Sequence, residues 1–224
     1  MYRSNHSRFK DVLLALGAVT HLNLALQRIQ LQKFIYLLDI FSSTWSEVSK
    51  PPRFQPYNHG PYDKNIQNAV DALAFRGLVE VTNINFQGTN KVQASYRLSN
   101  AGRIFLPGMI LHPVLLEEYQ LALEVADEVQ RRGWDQIVKI VYAEPTYFSA
   151  RTSEDRRVLA TNEPTSNQTT YLAGLFRDAW ATTSESPPTR LAFVQTMFLV
   201  FDQFRLSPAQ ELQTPQISDL ADPF

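Results

Sequence analysis

The sequence has no cysteine. Disulfide staples, zinc–thiolate sites and cysteine nucleophiles are therefore excluded. Histidine is scarce as well. His6, His21, His59 and His112 are scattered, and none stands at metal-ligand spacing from another. Long apolar runs are missing. The longest lies near Ala192–Phe201, is interrupted by Gln195 and Thr196, and is too short and too polar to span a bilayer. No apolar signal core follows Met1-Tyr2-Arg3-Ser4-Asn5-His6. These absences lead to the expectation of a cytoplasmic protein with no membrane partner. Catalytic signatures are missing too. There is no phosphate-binding loop, dinucleotide glycine fingerprint or nucleophile elbow. The carboxylate pairs Glu117-Glu118 and Glu154-Asp155 are adjacent in sequence, so on a helix they point in different directions and read as solvated surface. The expectation is a non-enzymatic chain with no cofactor and no metal.

What is present is ample hydrophobic material, 44 % of 224 residues, enough for one large domain or two small ones. The net charge of −1 conceals an asymmetry. Residues 1–110 hold 12 Lys/Arg against 6 Asp/Glu, and residues 111–224 hold 9 against 16. Such a division suggests two bodies with different partners, the basic one able to attract phosphate. The plain alternative is surface charge that drifts between domains.

Periodicity gives the order of elements. Phe9, Val12, Leu13 and Leu16 predict a helix over Arg8–Val19. Leu31, Phe34, Ile35, Leu38 and Phe41 predict a second from about Gln27 to Thr44, with Gln30, Lys33 and Asp39 facing elsewhere. Asp63 is suited to cap a third, which buries Ile66, Val70 and Leu73 and stops at Gly77. After Gly77 the period becomes two. Val79 and Val81, then Val92, Ala94, Tyr96 and Leu98, alternate with polar residues around the turn Gln87-Gly88-Thr89-Asn90. Ser99 can cap a further helix. Three helices, a hairpin and a helix predict a winged helix-turn-helix-like half over residues 1–110. A helical half over 111–207 and a polar tail over 208–224 follow. In the second half helices are expected over Leu115–Arg131, Trp134–Tyr142, Tyr171–Trp180 and Arg190–Phe204, with a loop over Thr152–Thr170 and Pro145 as a helix stop. The fold class is mainly α with a small β-hairpin.

Three segments carry a resemblance. They are Leu31-Gln32-Lys33-Phe34-Ile35-Tyr36-Leu37, Tyr57-Asn58-His59-Gly60-Pro61-Tyr62-Asp63 and Tyr96-Arg97-Leu98-Ser99-Asn100-Ala101-Gly102. In order and spacing they resemble the SocA/Panacea antitoxin domain and the YwgA-like bacterial proteins, over roughly Gln27–Gly102. Asp63 stands where that family usually has serine, and the second half has no counterpart. The resemblance implies a winged-helix-like module that neutralises or regulates a protein partner, in some members a toxin.

The expected site residues follow from these readings. Tyr57, Gly60, Pro61, Tyr62 and Asp63 form a structural turn. Lys33 is able to bind a partner carboxylate or phosphate, although on an amphipathic helix such a lysine is ordinarily a solvated charge. Tyr147 and Phe148, read as lying in a loop after Pro145, are candidates for a protein interface, whereas Trp180 reads as core. A regulator that binds DNA would use Lys64, Gln67 and Asn68 on the third helix, with Lys91 and Arg97 beside the wing. Asp63 and Asp71 weigh against close phosphate approach there. Three functions stay open at this point: a protein-binding, antitoxin-like regulator, a DNA-binding transcriptional regulator, and an enzyme with its site in the second half. Homodimerisation is left open.

Overall fold

The computed structural model describes residues 3–46, 53–57, 60–87, 91–152, 167–184 and 186–206. The first helix, α1 (Arg3–His21), starts earlier than its apolar stripe suggests. A two-residue strand, β1 (Leu26–Gln27), precedes α2 (Arg28–Trp45). Two short strands, β2 (Gln55–Tyr57) and β3 (Gly60–Tyr62), lead into α3 (Lys64–Phe75). The hairpin is β4 (Val79–Gln87) and β5 (Lys91–Leu98), followed by α4 (Asn100–Met109). The remainder is α5 (Pro113–Arg132), α6 (Trp134–Ala143), α7 (Pro145–Thr152), α8 (Gln168–Thr183) and α9 (Arg190–Arg205). The described chain is thus mainly helical with a small antiparallel sheet.

The described residues fall into two compact units. One gathers the chain up to Ile35 and Asp63–Asp127. In it α1 packs on α3, α4 and β5. Val12, Leu16 and Val19 of α1, Ile66, Val70 and Leu73 of α3, and Val79 and Leu98 of the hairpin are all buried. The sheet order is β1-β5-β4, all antiparallel, with Leu26 opposite Tyr96 and Val79 opposite Leu98. Helix, strand, helix, helix and hairpin, with the first strand added beside the last, is the winged-helix arrangement. Gly77 ends α3 as its composition suggests. Its φ is +73°, Leu78 N–H donates to the Leu73 carbonyl at 2.9 Å, and Gly77 N–H donates to that of Ala74 at 2.9 Å. That pair of bonds satisfies carbonyls the helix leaves open.

The other unit gathers Tyr36–Tyr62 and the chain from Glu128. Here α6 packs on α9, and α7 on α8 and β2. Aromatic rings fill the core. Phe41 lies 5.1 Å from Phe198 and 6.1 Å from Phe201, and Trp45 lies 5.4 Å from Phe193. The unit boundaries fall inside α2 and α5 rather than at residue 110. Helix α2 runs 18 residues and α5 runs 20, and each contributes residues to both units. The tail over 208–224, the turn at 88–90 and most of the loop over Thr152–Thr170 lie outside the described residues. Two elements differ from the sequence expectation. Pro145 opens α7 instead of only ending α6, because proline at a first helical position forfeits an amide that has no acceptor there. Asn167 caps α8 by accepting from Thr170 N–H at 3.0 Å, so α8 begins inside the expected loop.

Candidate functional site

Helix α3 is held from its first turn. Asp63 has extended backbone (φ −123°, ψ 110°), and its Oδ1 accepts from Asn65 N–H at 2.9 Å. Its Oδ2 takes a hydrogen bond from Arg8 Nε at 3.0 Å. Gln32 of α2 holds the Asp63 main chain, Oε1 accepting from its N–H and Nε2 donating to its carbonyl, both at 3.0 Å. With the inner stripe buried, spacings of 4, 3 and 4 align Lys64, Asn68, Asp71 and Phe75 on the opposite side, and all four are exposed. Phe75 is 93 % exposed. Gln67 sits beside this stripe, half-buried, donating to Asp71 Oδ1 at 2.8 Å and to the Tyr96 hydroxyl at 3.3 Å. Arg76 donates to the Ala72 carbonyl and lies over the Phe9 ring.

The wing continues the apolar character. On β4, Val81, Ile84 and Phe86 are exposed, Phe86 to 73 %. Arg97 donates to both oxygens of Glu80 across the hairpin, at 3.0 and 3.2 Å. That bond holds Glu80 below the usual carboxylate range and raises the Arg97 guanidinium further. The two side chains are 43 % and 44 % exposed, so the pair neutralises itself at the surface. Lys91 stands opposite Gln87 at the start of β5, and its side chain lies outside the described residues. Of the five residues expected to contact DNA, Lys64 and Asn68 share the exposed α3 stripe. Gln67 is engaged by Asp71 and Tyr96, and Arg97 by Glu80.

No family model, curated protein or solved structure matches the chain.

The three segments that carry the resemblance each perform a backbone task. Gln32 reads the Asp63 main chain. Gly60, at φ +103°, occupies a left-handed conformation that a side chain would strain. Pro61 is buried and stands opposite Pro56 across β2 and β3, while the Tyr57 and Tyr62 rings lie 5.7 Å apart. In the third segment, Ser99 Oγ accepts from Gly102 N–H at 3.1 Å and donates to the Gly77 carbonyl at 2.5 Å. A Cβ at Gly102 would collide with the Leu78 carbonyl oxygen. His59 and Asn58 lie outside the described residues.

Three expectations need correction. Lys33 does not face solvent. It is 1 % exposed, and burial lowers its pKa to about 7. Asp39, expected on the same polar side, is fully buried and paired with Arg53 at 2.5 Å. The reason is that α2 has no solvent face from Leu31 to Thr44, so an amphipathic reading of it fails. Tyr147 is likewise no surface anchor. It lies fully buried in α7, its hydroxyl donating to the Tyr57 carbonyl at 3.0 Å and its ring edge-on to Tyr36 and Tyr142. Burial raises its pKa to about 12. Phe148 is half-buried in the same helix.

The group that fixes Tyr147 escaped the sequence reading. Glu144, fully buried, accepts from Tyr147 N–H at 2.7 Å and Thr146 N–H at 3.1 Å, the free amides of the first α7 turn. It also accepts from the Tyr36 hydroxyl at 2.5 Å and from the Thr169 hydroxyl. Burial, and then this carboxylate, raise the Tyr36 pKa well above its ordinary value. Every partner in this cluster is a donor to one carboxylate, which organises structure and leaves no open coordination. Among the described residues, no three of His, Asp and Glu come close enough to hold a metal ion, and no helix is long and apolar enough to cross a membrane. Of the isolated groups, Glu118 pairs with Lys10 at 2.6 Å, and Glu117 and His112 are exposed. The Glu154-Asp155 pair lies outside the described residues.

Proposed function

We propose that the protein is a non-enzymatic, cytoplasmic regulator of antitoxin type that binds a protein partner through the exposed side of α3 and the adjoining wing. One observation carries this reading: Phe75 on α3 and Phe86 on the wing are both largely exposed, beside charges that cancel locally. Arg97 is matched by Glu80, and the α3 stripe carries Asp71 as well as Lys64. A surface built for DNA needs surplus cations to displace counterions from phosphate. Exposed aromatics in a polar, neutral surround suit a protein interface. The resemblance to the SocA/Panacea domain supports the same reading.

Binding is tested by co-expressing the full chain with each neighbouring gene product and purifying the complex. The expected outcome is a stoichiometric complex that Phe75→Asp weakens at least about tenfold, or about 1.4 kcal/mol. An unchanged affinity in that variant removes the face from the interface. DNA binding is the second reading, favoured by Lys64 and Asn68 on the exposed stripe. It requires an affinity for duplex DNA that falls with salt, with a slope that drops by about 1 in Lys64→Gln.

A further inference from the structure

On β4 the pairing with β5 slips between Thr82 and Asn85, so two residues, Asn83 and Ile84, stand opposite Ala94 alone. Asn83 takes a left-handed conformation, φ +51°, which asparagine tolerates better than most side chains. The bulge opens a groove of about 380 Å³ lined by Gln27, Asn83, Ile84, Asn85, Gln93, Ala94 and Ser95. This lies within the range of about 300–1,000 Å³ for ligand sites. Register places Gln27, Asn85, Gln93 and Ser95 on one side of the sheet. Gln27 is opposite Ser95, Asn85 is opposite Gln93, and Ser95 and Gln93 are two residues apart on one strand. Tyr96 and Leu98 belong to the other side, with the core. Bulges commonly re-aim side chains beside binding sites.

The chemistry of the lining is narrow. Four of the seven residues are carboxamides, one is a hydroxyl, two are aliphatic, and none is ionisable. Each carboxamide offers a donor and an acceptor side by side. The matching ligand is uncharged and presents the same pair, as a peptide bond does. Gln32 already performs this recognition inside the molecule, holding the N–H and the carbonyl of Asp63 at 3.0 Å each. We infer that the bulge groove binds an extended, uncharged segment of a protein partner by its main chain, with Ile84 meeting one apolar side chain. A phosphate-bearing ligand would find no cation in the lining. This inference rests on the protein-partner reading above and specifies what part of the partner is read.

The test uses the full chain and a capped hexapeptide of alternating Thr and Val, followed through the side-chain amide resonances of Asn and Gln. Saturable shifts are expected at Gln27, Asn83, Asn85 and Gln93. The same peptide N-methylated at alternate bonds should bind at least about tenfold more weakly, as should the Asn85→Leu/Gln93→Leu variant. The methylated peptide keeps the test valid if the variant misfolds. No shifts at millimolar peptide, or equal binding of the methylated peptide, overturns the inference. Shifts produced by duplex DNA and not by peptide overturn it in favour of a nucleobase ligand. Loss of this site with an intact partner complex leaves the α3 interface standing, so the two failures are distinct.

Discussion

The side chain of Gln32 completes the main chain of Asp63, accepting its N–H and donating to its carbonyl as a neighbouring strand would. Both residues are buried, 3 % exposed each. Gln32→Leu keeps the volume and leaves the buried Asp63 N–H unpaired, while the Asp63 carbonyl keeps the Ile66 N–H at 3.1 Å. A loss of about 1–3 kcal/mol is expected, the cost of one unsatisfied buried group. Urea unfolding of the two proteins measures it, and a loss under about 1 kcal/mol would mean that water replaces the glutamine.

Two glycines predict an order of damage. Gly77→Ala meets no atom, but it must adopt φ +73°, at a cost of about 1–2 kcal/mol. Gly102→Ala drives a methyl into the Leu78 backbone carbonyl, so the start of α4 has to move. Gly102→Ala should therefore lower the melting temperature more than Gly77→Ala does. The reverse order would show that α4 shifts freely.

The elements whose physics is local were legible from sequence. The buried stripe of α3, the Asp63 cap, the Gly77 stop and the change of period at Val79 all come from neighbours within a few residues. The groups that were misread are fixed at long range. Lys33 and Asp39 look solvated because they are charged, yet α2 is enclosed on all sides. Tyr147 looks exposed after a proline, and is drawn inward by Glu144 and by the Tyr57 carbonyl, 90 residues away in sequence. Strand β1 is two residues long, too short to show a period, and exists only because β5 lies beside it. On the candidate face, Lys64 and Asn68 could be placed from helical spacing, whereas the Arg97–Glu80 pair needs the register of the hairpin.

Lys33 makes stability depend on pH. Its pKa is about 7 in the fold and about 10.4 when unfolded. Between these values the unfolded chain carries a proton that the folded chain lacks, so stability rises with pH across that window. Below about pH 7 both states are protonated and the burial penalty is complete. Tyr36 and Tyr147 act oppositely and only above about pH 10, because their raised pKa values favour the folded state until unfolded tyrosines ionise. The midpoint of urea unfolding should climb from about pH 7 to about pH 9.5. Lys33→Met should flatten the climb and be the more stable protein at pH 6. A wild-type midpoint that stays level refutes the buried ammonium.

Two ion pairs of the same chemistry should differ in worth. Asp39 and Arg53 are 1 % and 5 % exposed at the side chain, and removing one partner strands a buried charge. Arg53→Met is expected to cost about 3–5 kcal/mol. Glu80→Gln removes a partially exposed, solvent-screened partner of Arg97 and should leave the melting temperature nearly unchanged. Equal effects in calorimetry would contradict the burial of Asp39.

Glu144 gathers donors from residues 36, 146, 147 and 169. On a ribosome these arrive far apart in time. Tyr36 emerges early, the carboxylate more than a hundred residues later, and Thr169 later still. The carboxylate therefore cannot be sealed until about three-quarters of the chain has been made, while the hairpin and its helices are complete by Asp127. Synthesis itself thus orders the two units: the winged half can close while the ring-filled half is still waiting for its last donor.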